Sequence, residues 1–272
     1  MLKQRVITAV CLTAVLFLIL YSGSDFLFVG LLLAFFGAAS WENTRLFKSR
    51  YPILIGIFSC IVLAGIAYFL TIREYIWLAM LGCMIWGVFL IPALFSRMPA
   101  LGTVFNRICQ WVYWLSVLCS IVSVLVLYRK SVFFLLSILI VIWLADIGAY
   151  FAGRALGKHK LAPTISPGKT WEGAIGGAIA VLIYGFSMVL FFPLQENIAV
   201  SIYSRYGWGG MLISLIVFVA LSIMGDLLES KLKRRVAMKD SSNLLPGHGG
   251  VLDRIDSLIP TLPLAVLLGL WL

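Results

Sequence analysis

Charged residues are scarce in this sequence. Asp, Glu, Lys and Arg together make up 12% of the 272 residues, whereas 62% are apolar and the mean hydropathy is +1.06. A soluble domain usually has about 25% charged and about 45–50% apolar residues. This scarcity excludes an ordinary water-soluble domain, because a protein core alone cannot accommodate so much apolar surface. The sequence therefore predicts an integral membrane protein.

Cysteine and histidine patterns that bind soft metals are also missing. The five cysteines occur singly, in or beside apolar stretches, and the two histidines are not paired. This excludes a CxxC redox motif and a zinc site of the usual ligand spacing. A cleaved leader is disfavoured too, because the first apolar run ends in Tyr21-Ser22-Gly23-Ser24 without a small-residue cleavage pattern.

Long apolar runs dominate what is present. They cover Val6–Tyr21, Phe26–Trp41, Pro52–Thr71, Tyr75–Phe95, Trp111–Tyr128, Val132–Ala152, Trp171–Leu194, Trp208–Gly225 and Leu258–Leu272. A helix needs about 20 apolar residues to cross the hydrocarbon core of a bilayer. The first two runs and the last are short for this, so tilting or flanking polar residues would have to compensate. The predicted fold is all-α and polytopic, with about nine transmembrane helices.

Basic residues indicate the orientation. If residue 1 is cytoplasmic, nearly all of the 21 Lys and Arg residues fall in cytoplasmic segments, and only Arg73, Arg129, Lys130 and Arg205 lie on the other side. The sequence thus predicts a cytoplasmic N-terminus and a C-terminus on the opposite face. The net charge of +10 reflects this topology and an attraction for anionic headgroups. Nucleic acid is excluded as a partner, because the basic residues are divided among membrane loops.

The two halves of the chain differ in polar content. Residues 1–130 are apolar spans with short loops and no cluster of acids, which predicts a scaffold. Residues 131–272 contain both long polar loops, which predicts a catalytic region with a polar cavity open to the cytoplasm. Within it, Gly173 and Gly177 form a small-xxx-small pair that favours close helix packing.

Acidic residues in the second half suggest a site. Asp146 interrupts an apolar run, where a charge normally faces a cavity or a partner. Farther along, Asp226, Glu229, Ser230 and Lys233 follow a helical spacing that places them on one face. Such a stripe suits a metal and the phosphate that it carries, and it equally suits a solvated helix end with an internal ion pair.

The loop that follows favours the site. Residues 239–250 combine Lys, Asp, His and three glycines, and Asp253, Arg254 and Asp256 come directly after. Carboxylates without soft ligands favour Mg²⁺, and the neighbouring basic side chains suit phosphates, so phosphoryl or nucleotidyl transfer is predicted. His248 is either an acid or base or a structural hydrogen-bonding residue. Lys169 and Thr170 form a turn into a helix that could meet a phosphate, although the Walker spacing is absent.

The segment 230–256, hereafter the signature segment, resembles the signature of phosphatidate cytidylyltransferases, also called CDP-diacylglycerol synthases. The matching positions are Ser230, Leu232, Lys233-Arg234, Lys239-Asp240, Ser242, Pro246, His248-Gly249-Gly250, Asp253-Arg254 and Asp256. Ala145-Asp146, Ala149-Tyr150, Ser166-Pro167 and Lys169-Thr170-Trp171-Glu172 are also similar to that family. The similarity spans the second half, and the first half matches only in hydropathy.

The resemblance implies the reaction CTP + phosphatidate → CDP-diacylglycerol + pyrophosphate, with Mg²⁺ and a second cation such as K⁺ as cofactors. The expected catalytic residues are Asp226, Lys233, Asp253 and Asp256. The expected metal ligands are Asp226, Asp253, Asp256 and Asp146. The expected substrate-binding residues are Lys169, Thr170, Ser230, Arg234, Lys239, His248, Gly249, Gly250 and Arg254. The expected setting is a bacterial cytoplasmic (inner) membrane, with membrane lipids as neighbours and a homodimer left open.

Two other classes are weighed against this prediction. A CDP-alcohol phosphotransferase would show Asp-Gly-x-x-Ala-Arg followed by spaced Gly and Asp, and that pattern is absent. A cation-coupled transporter would also have buried acids and glycine-broken helices. Inverted repeats would support a transporter, and the sequence has none.

Overall fold

A computed structural model describes residues 2–270 of the chain. The predicted last span, Leu258–Leu272, therefore ends outside the described residues. The helices are α1 (Leu2–Ser22), α2 (Asp25–Leu46), α3 (Pro52–Phe69), α4 (Ile72–Ile85), α5 (Ile91–Phe95), α6 (Val104–Lys130), α7 (Val132–Leu156), α8 (Trp171–Phe191), α9 (Ile198–Arg235), α10 (Leu252–Ile255) and α11 (Leu258–Leu270). A π-helical turn, Trp86–Leu90, joins α4 to α5.

Seven of the described helical segments are long and apolar enough to cross a membrane. Two shorter apolar helices, Val10–Ser22 and Leu258–Gly269, accompany them. The prediction of a polytopic membrane protein is thereby confirmed, and the nine predicted apolar runs correspond to these seven long and two short segments.

The fold is not purely helical, which corrects the predicted all-α class. Two short antiparallel strands, β1 (Lys160–Ala162) and β2 (Ser166–Thr170), form a hairpin between α7 and α8. The sequence predicted only a turn here, because these segments are too short and too polar to show a strand pattern. The hairpin is tied to α8, since the Trp171 amide donates to the His159 carbonyl over 2.9 Å.

Helix α9 contains a break that the apolar pattern placed only approximately. Gly207 has φ 65° and ψ −168°, which no helix residue adopts, so a short helix beginning at Ile198 meets a long one near Trp208. The sequence predicted a span only from Trp208. Glycine tolerates this positive φ without the clash that a Cβ would bring.

Helices α7 and α8 pack with their backbones in close contact. A Cβ built on Gly177 would lie 2.5 Å from the Ala145 carbonyl oxygen, and one on Gly173 would lie 2.8 Å from the Ala149 oxygen. The predicted small-residue packing is confirmed. Because Ala145 and Ala149 flank Asp146, this contact sets the position of that acid relative to α8.

The two ends of the bundle carry different polar contacts. At one end, Arg129 forms an ion pair with Asp25 over 2.7 Å and donates to the Tyr75 hydroxyl over 2.9 Å. At the other end, Lys231 donates to the carbonyls of Ala93 and Leu94 over 2.9 and 2.8 Å. The end that contains Lys231 also holds the signature segment, so the loop chemistry is gathered on one side of the bundle.

Candidate active site

A polar cavity of about 500 Å³ opens between α7, the hairpin, α8 and α9. Its polar lining consists of Asp146, Tyr150, Arg154, Ser166, Lys169, Thr170 and Asp226. Tyr150 and Arg154, to which the sequence analysis gave no role in the site, thus join the predicted residues. The Arg154 guanidinium donates to the Tyr150 hydroxyl over 3.1 Å.

Lys169 and Asp226 form an ion pair inside this cavity. The Lys169 Nζ lies 2.7 Å from Asp226 Oδ2, and both side chains are partly exposed. Asp226 Oδ1 also accepts a hydrogen bond from the Ser230 hydroxyl over 3.2 Å. Asp146 is exposed to the cavity and lies within hydrogen-bond distance of the Ser222 hydroxyl, 3.4 Å away. The structure therefore brings Asp146, Lys169 and Asp226 together in one cavity.

Lys233 is buried between two carboxylates. Its Nζ lies 2.7 Å from Glu229 Oε2 and 2.5 Å from Asp253 Oδ1. The predicted stripe on α9 is confirmed as one face, because Lys233 bonds to Glu229 one turn before it and Ser230 bonds to Asp226. Burial of an ammonium group is tolerated here because opposite charges surround it.

Asp253 organises the loop that precedes it. Its Oδ2 accepts hydrogen bonds from the backbone amides of Ser241 and Gly250 over 2.8 and 2.7 Å and from the Ser241 hydroxyl over 2.9 Å. Burial alone would raise the pKa of this carboxyl, but the hydrogen bond from Lys233 and those from the loop lower it below its usual value. Asp253 is therefore a carboxylate whose oxygens are largely engaged by the protein.

Asp256 lies close enough to Asp226 and Lys233 to interact with the charges of both. Burial raises the pKa of its carboxyl to about 7, and the negative charge of Asp226 acts in the same direction. Its Oδ1 accepts the Ser257 amide over 2.8 Å. Residues 236–251 form the loop between α9 and α10, hereafter the signature loop. Asp226 precedes this loop and Asp256 follows it, and the two acids share one electrostatic environment.

The acidic side chains of the site have the oxygen ligands that a hard cation prefers. Their arrangement in the structure, however, is not that of a metal site. The acids supply only oxygen ligands, which Mg²⁺ prefers, and Glu229 Oε1 is buried without a hydrogen-bond partner. Within residues 2–270, however, no group of three or more acidic, His or Cys side chains is arranged to hold a metal ion. Lysine ammonium groups lie between the carboxylates instead. The predicted four-acid metal set stays a prediction.

Several predicted substrate-binding residues have structural contacts. Thr170 caps α8, accepting the Gly173 amide over 3.1 Å, although it also lines the cavity. The Arg254 guanidinium donates to the His248 carbonyl over 2.6 Å, which ties the loop to α10. Gly249 has φ +82°, which favours glycine. Arg234 and Lys239 are exposed near the loop.

Sequence reasoning missed Glu42, in the predicted scaffold half. This side chain is 0% exposed and accepts hydrogen bonds from Ser242, Val251 and Leu252 in the signature segment. Its neighbourhood, Trp41-Glu42-Asn43-Thr44, resembles any polar helix end in a membrane protein. The only signal was a carboxyl residue close to an apolar run.

An apolar cavity of about 520 Å³ adjoins the polar one. The two share Leu161, Ala174 and Ile223 in their linings. Apart from Thr164, the rest of the apolar cavity is lined by hydrophobic side chains of α5, the hairpin, α8 and α9, including Phe95 and Trp171. The polar cavity and the apolar cavity therefore lie next to each other on the same side of the bundle.

Comparison with known proteins identifies the family of the chain. Residues 3–271 match the Cytidylyltransferase family. A phosphatidate cytidylyltransferase of Haemophilus influenzae is 35% identical over 284 residues, covering 97% of this chain and 96% of the relative. Another of Pseudomonas aeruginosa is 35% identical over 277 residues, covering 100% and 97%. One of Staphylococcus haemolyticus is 46% identical over 131 residues, about half of each chain.

The long apolar helices and the full-length relatives show a multi-pass membrane nucleotidyltransferase. The chain belongs to the cytidylyltransferase family, whose matching region covers nearly its whole length. The resemblance that the signature segment suggested is thereby confirmed, and it extends into the N-terminal half, where the sequence alone had shown only hydropathy.

Proposed function

We propose that this chain transfers the cytidylyl group of CTP to the phosphate of phosphatidate, which forms CDP-diacylglycerol and releases pyrophosphate. The observation that carries the proposal is the pair of neighbouring lysine–carboxylate contacts, Lys169 with Asp226 and Lys233 with Asp253. The full-length relatives bear the name of that activity. Two polyanionic substrates need positive charge, and the Lys169 ammonium group lines the cavity that would receive them.

The reaction needs neutralisation of the phosphate charges more than it needs a general base. A phosphate monoester has a second pKa near about 6, so its oxygen is ionised at neutral pH. That oxygen bonds to the α-phosphorus of CTP while the bond from this phosphorus to the bridging oxygen breaks, and pyrophosphate leaves with that electron pair. Lys169 and Lys233 offset the repulsion between the two phosphates and the charge on pyrophosphate, because electrostatic stabilisation is strong in a cavity shielded from water.

Asp226, Asp256 and Asp146 are the acids that would hold Mg²⁺ in this site. Bound Mg²⁺ supplies further charge neutralisation of the phosphates. Asp253 is also a predicted ligand, but its contacts with Lys233 and the loop support a positioning role. A second cation such as K⁺ stays a prediction from the resemblance.

The neighbouring cavities suit the two parts of phosphatidate. The polar cavity fits the phosphate and the apolar cavity fits acyl chains, which can stay in the bilayer while the headgroup reaches Lys169. The predicted cytoplasmic opening, the inner-membrane location and the cytoplasmic N-terminus are part of this proposal. They rest on the positive-inside distribution and on the grouping of the basic loops at one end of the bundle. A homodimer stays a prediction.

Purified protein in detergent, incubated with labelled CTP, phosphatidate and Mg²⁺, tests the proposal. We expect the cytidine label to become lipid-extractable, and this product to disappear in Asp226→Asn. Lys160→Met, an exposed cation of the same loop region, serves as the control and should retain activity. Folded wild type that yields no labelled lipid would refute the proposed reaction.

A further inference from the structure

Glu42 joins the two halves of the chain beneath the signature loop. Its Oε1 accepts the Ser242 hydroxyl over 2.5 Å and the Val251 amide over 2.9 Å. Its Oε2 accepts the Ser241 hydroxyl over 3.0 Å and the Leu252 amide over 2.7 Å. Each oxygen thus takes one backbone amide and one hydroxyl. The contacts reach both the beginning and the end of the loop, so the carboxylate holds the loop closed.

The helix that carries Glu42 is itself anchored. The side-chain amide of Asn43 donates to the Gln110 carbonyl over 3.2 Å, and the Trp114 indole donates to the Ser40 hydroxyl over 3.1 Å. These bonds fasten the end of α2 to α6. The position of the Glu42 carboxylate is therefore set by the packing of α2 on α6 and does not depend on the loop alone.

A chain of contacts leads from Glu42 to the reacting region. The Ser241 hydroxyl lies 3.0 Å from Glu42 and 2.9 Å from Asp253, so one proton is shared between two carboxylates. Asp253 in turn holds the Lys233 ammonium group over 2.5 Å. A shift of the loop would move Asp253, and Lys233 would lose one of its two carboxylate partners.

Gly250 shows how closely the loop fits over this carboxylate. A Cβ at this position would overlap both the Ser241 hydroxyl and Glu42 Oε1. The sequence suggested that this glycine permits close approach of a substrate. In the structure it permits close approach of Glu42 to the loop backbone.

We propose that Glu42 is a positioning residue of the cytidylyl transfer, acting through the signature loop on Asp253 and Lys233. The inference rests on the proposed function, since it assigns Lys233 to the phosphates. It places one determinant of catalysis in the N-terminal half, outside the signature segment. Glu42 itself touches no substrate, because it is fully buried beneath the loop.

Glu42→Gln is the sharpest test, because it keeps the shape and replaces one oxygen with a donor. Whichever way the amide is turned, its NH₂ group faces a backbone amide, of either Val251 or Leu252, and that buried donor loses its partner. An unpaired buried donor has a free-energy cost in the folded structure. If that cost appears in the active geometry, kcat should fall about tenfold to hundredfold, with the KM for CTP changed by less than about threefold.

Three measurements separate positioning from a general effect on folding. The kinetic constants of wild type and Glu42→Gln are compared with those of Glu196→Gln, which makes the same chemical change at an exposed site. The unfolding temperature is recorded for all three proteins. Limited trypsin cleavage after Lys239 reports loosening of the loop, and it should accelerate only in Glu42→Gln.

The outcomes are distinct. Lower kcat with faster cleavage at Lys239 supports the inference, whereas wild-type kcat in Glu42→Gln overturns it whatever happens to the unfolding temperature. If Glu42→Gln does not fold, Ser242→Ala removes a single donor, and an unchanged kcat in that variant overturns the inference. Failure of wild type to label lipid would instead refute the proposed function.

Discussion

The carboxylate of Asp253 contacts Lys233 with one oxygen and the signature loop with the other. Oδ1 lies 2.5 Å from the Lys233 Nζ, and Oδ2 accepts the amides of Ser241 and Gly250. One side chain therefore ties the position of a buried cation on α9 to the shape of a loop that follows it. This contact joins a lysine and an aspartate that are 20 residues apart in the chain.

Asp253→Asn should abolish most activity. The amide keeps the size of the side chain but turns a donor toward either Lys233 or the loop amides, so a buried charge or a buried amide loses its acceptor. We expect kcat to fall by about 100-fold or more, in line with the cost of breaking a buried charged pair. Incorporation of labelled CTP into lipid is the measurement. Asp240→Asn, an exposed acid in the same loop, should retain most activity, and equal losses in the two variants would contradict the assignment.

Lys169 and Asp226 should behave as an interacting pair. Lys169→Met removes the cation that faces the cavity and should lower kcat/KM for CTP by about tenfold to hundredfold, because a phosphate loses a charged contact. In the double variant with Asp226→Asn, the loss should be smaller than the product of the two single losses, since residues in contact are not additive. Lys158→Met, at an exposed position before the hairpin, is the control. Strict additivity would show that the two side chains act separately.

Removal of divalent cations should stop the reaction. We expect a chelator to reduce activity to background and added Mg²⁺ to restore it, because the substrates and the site acids both carry negative charge. Asp146→Asn should raise the Mg²⁺ concentration needed for half-maximal rate, while leaving the fold intact. A titration of rate against Mg²⁺ measures this. Full activity in chelator would remove Asp146, Asp226 and Asp256 from their proposed role.

Gly177→Ala should destabilise the contact between α7 and α8. The added Cβ would lie 2.5 Å from the Ala145 carbonyl oxygen, which is backbone and cannot rotate away. Forcing the helices apart should have a cost of about 1–3 kcal/mol, seen as a lower unfolding temperature in detergent and as reduced activity through displacement of Asp146. Gly168→Ala is the matched control, because no atom lies within 4 Å of a Cβ there. An unchanged unfolding temperature in Gly177→Ala would show that the packing can relax.

The sequence was sufficient to predict the architecture and one face of the site. Apolar runs of membrane-spanning length are strong signals, so the helices were found with errors mainly at their ends. The helical spacing of Asp226, Ser230 and Lys233 also predicted their shared face, because local periodicity determines it.

Long-range contacts were beyond this reasoning. Nothing in the residues around Glu42 reveals that its partners are Val251 and Leu252, since such a pairing depends on how α2 packs in three dimensions. The hairpin was missed because three- and five-residue strands carry little pattern. Asp253 stays a predicted metal ligand, and its contacts with Lys233 and the loop are further long-range contacts that no local pattern shows.

The burial of Glu42 has a consequence for biosynthesis. Its backbone partners, Val251 and Leu252, lie 209 and 210 residues farther along the chain. At about 5–20 residues per second, a ribosome needs roughly 10–40 seconds to reach them. During that interval the Glu42 carboxylate has none of its final hydrogen-bond donors. Because an unpaired charge is costly in an apolar environment, the end of α2 has to stay in contact with water. The loop can therefore close over this anion only after residue 252 has been synthesised.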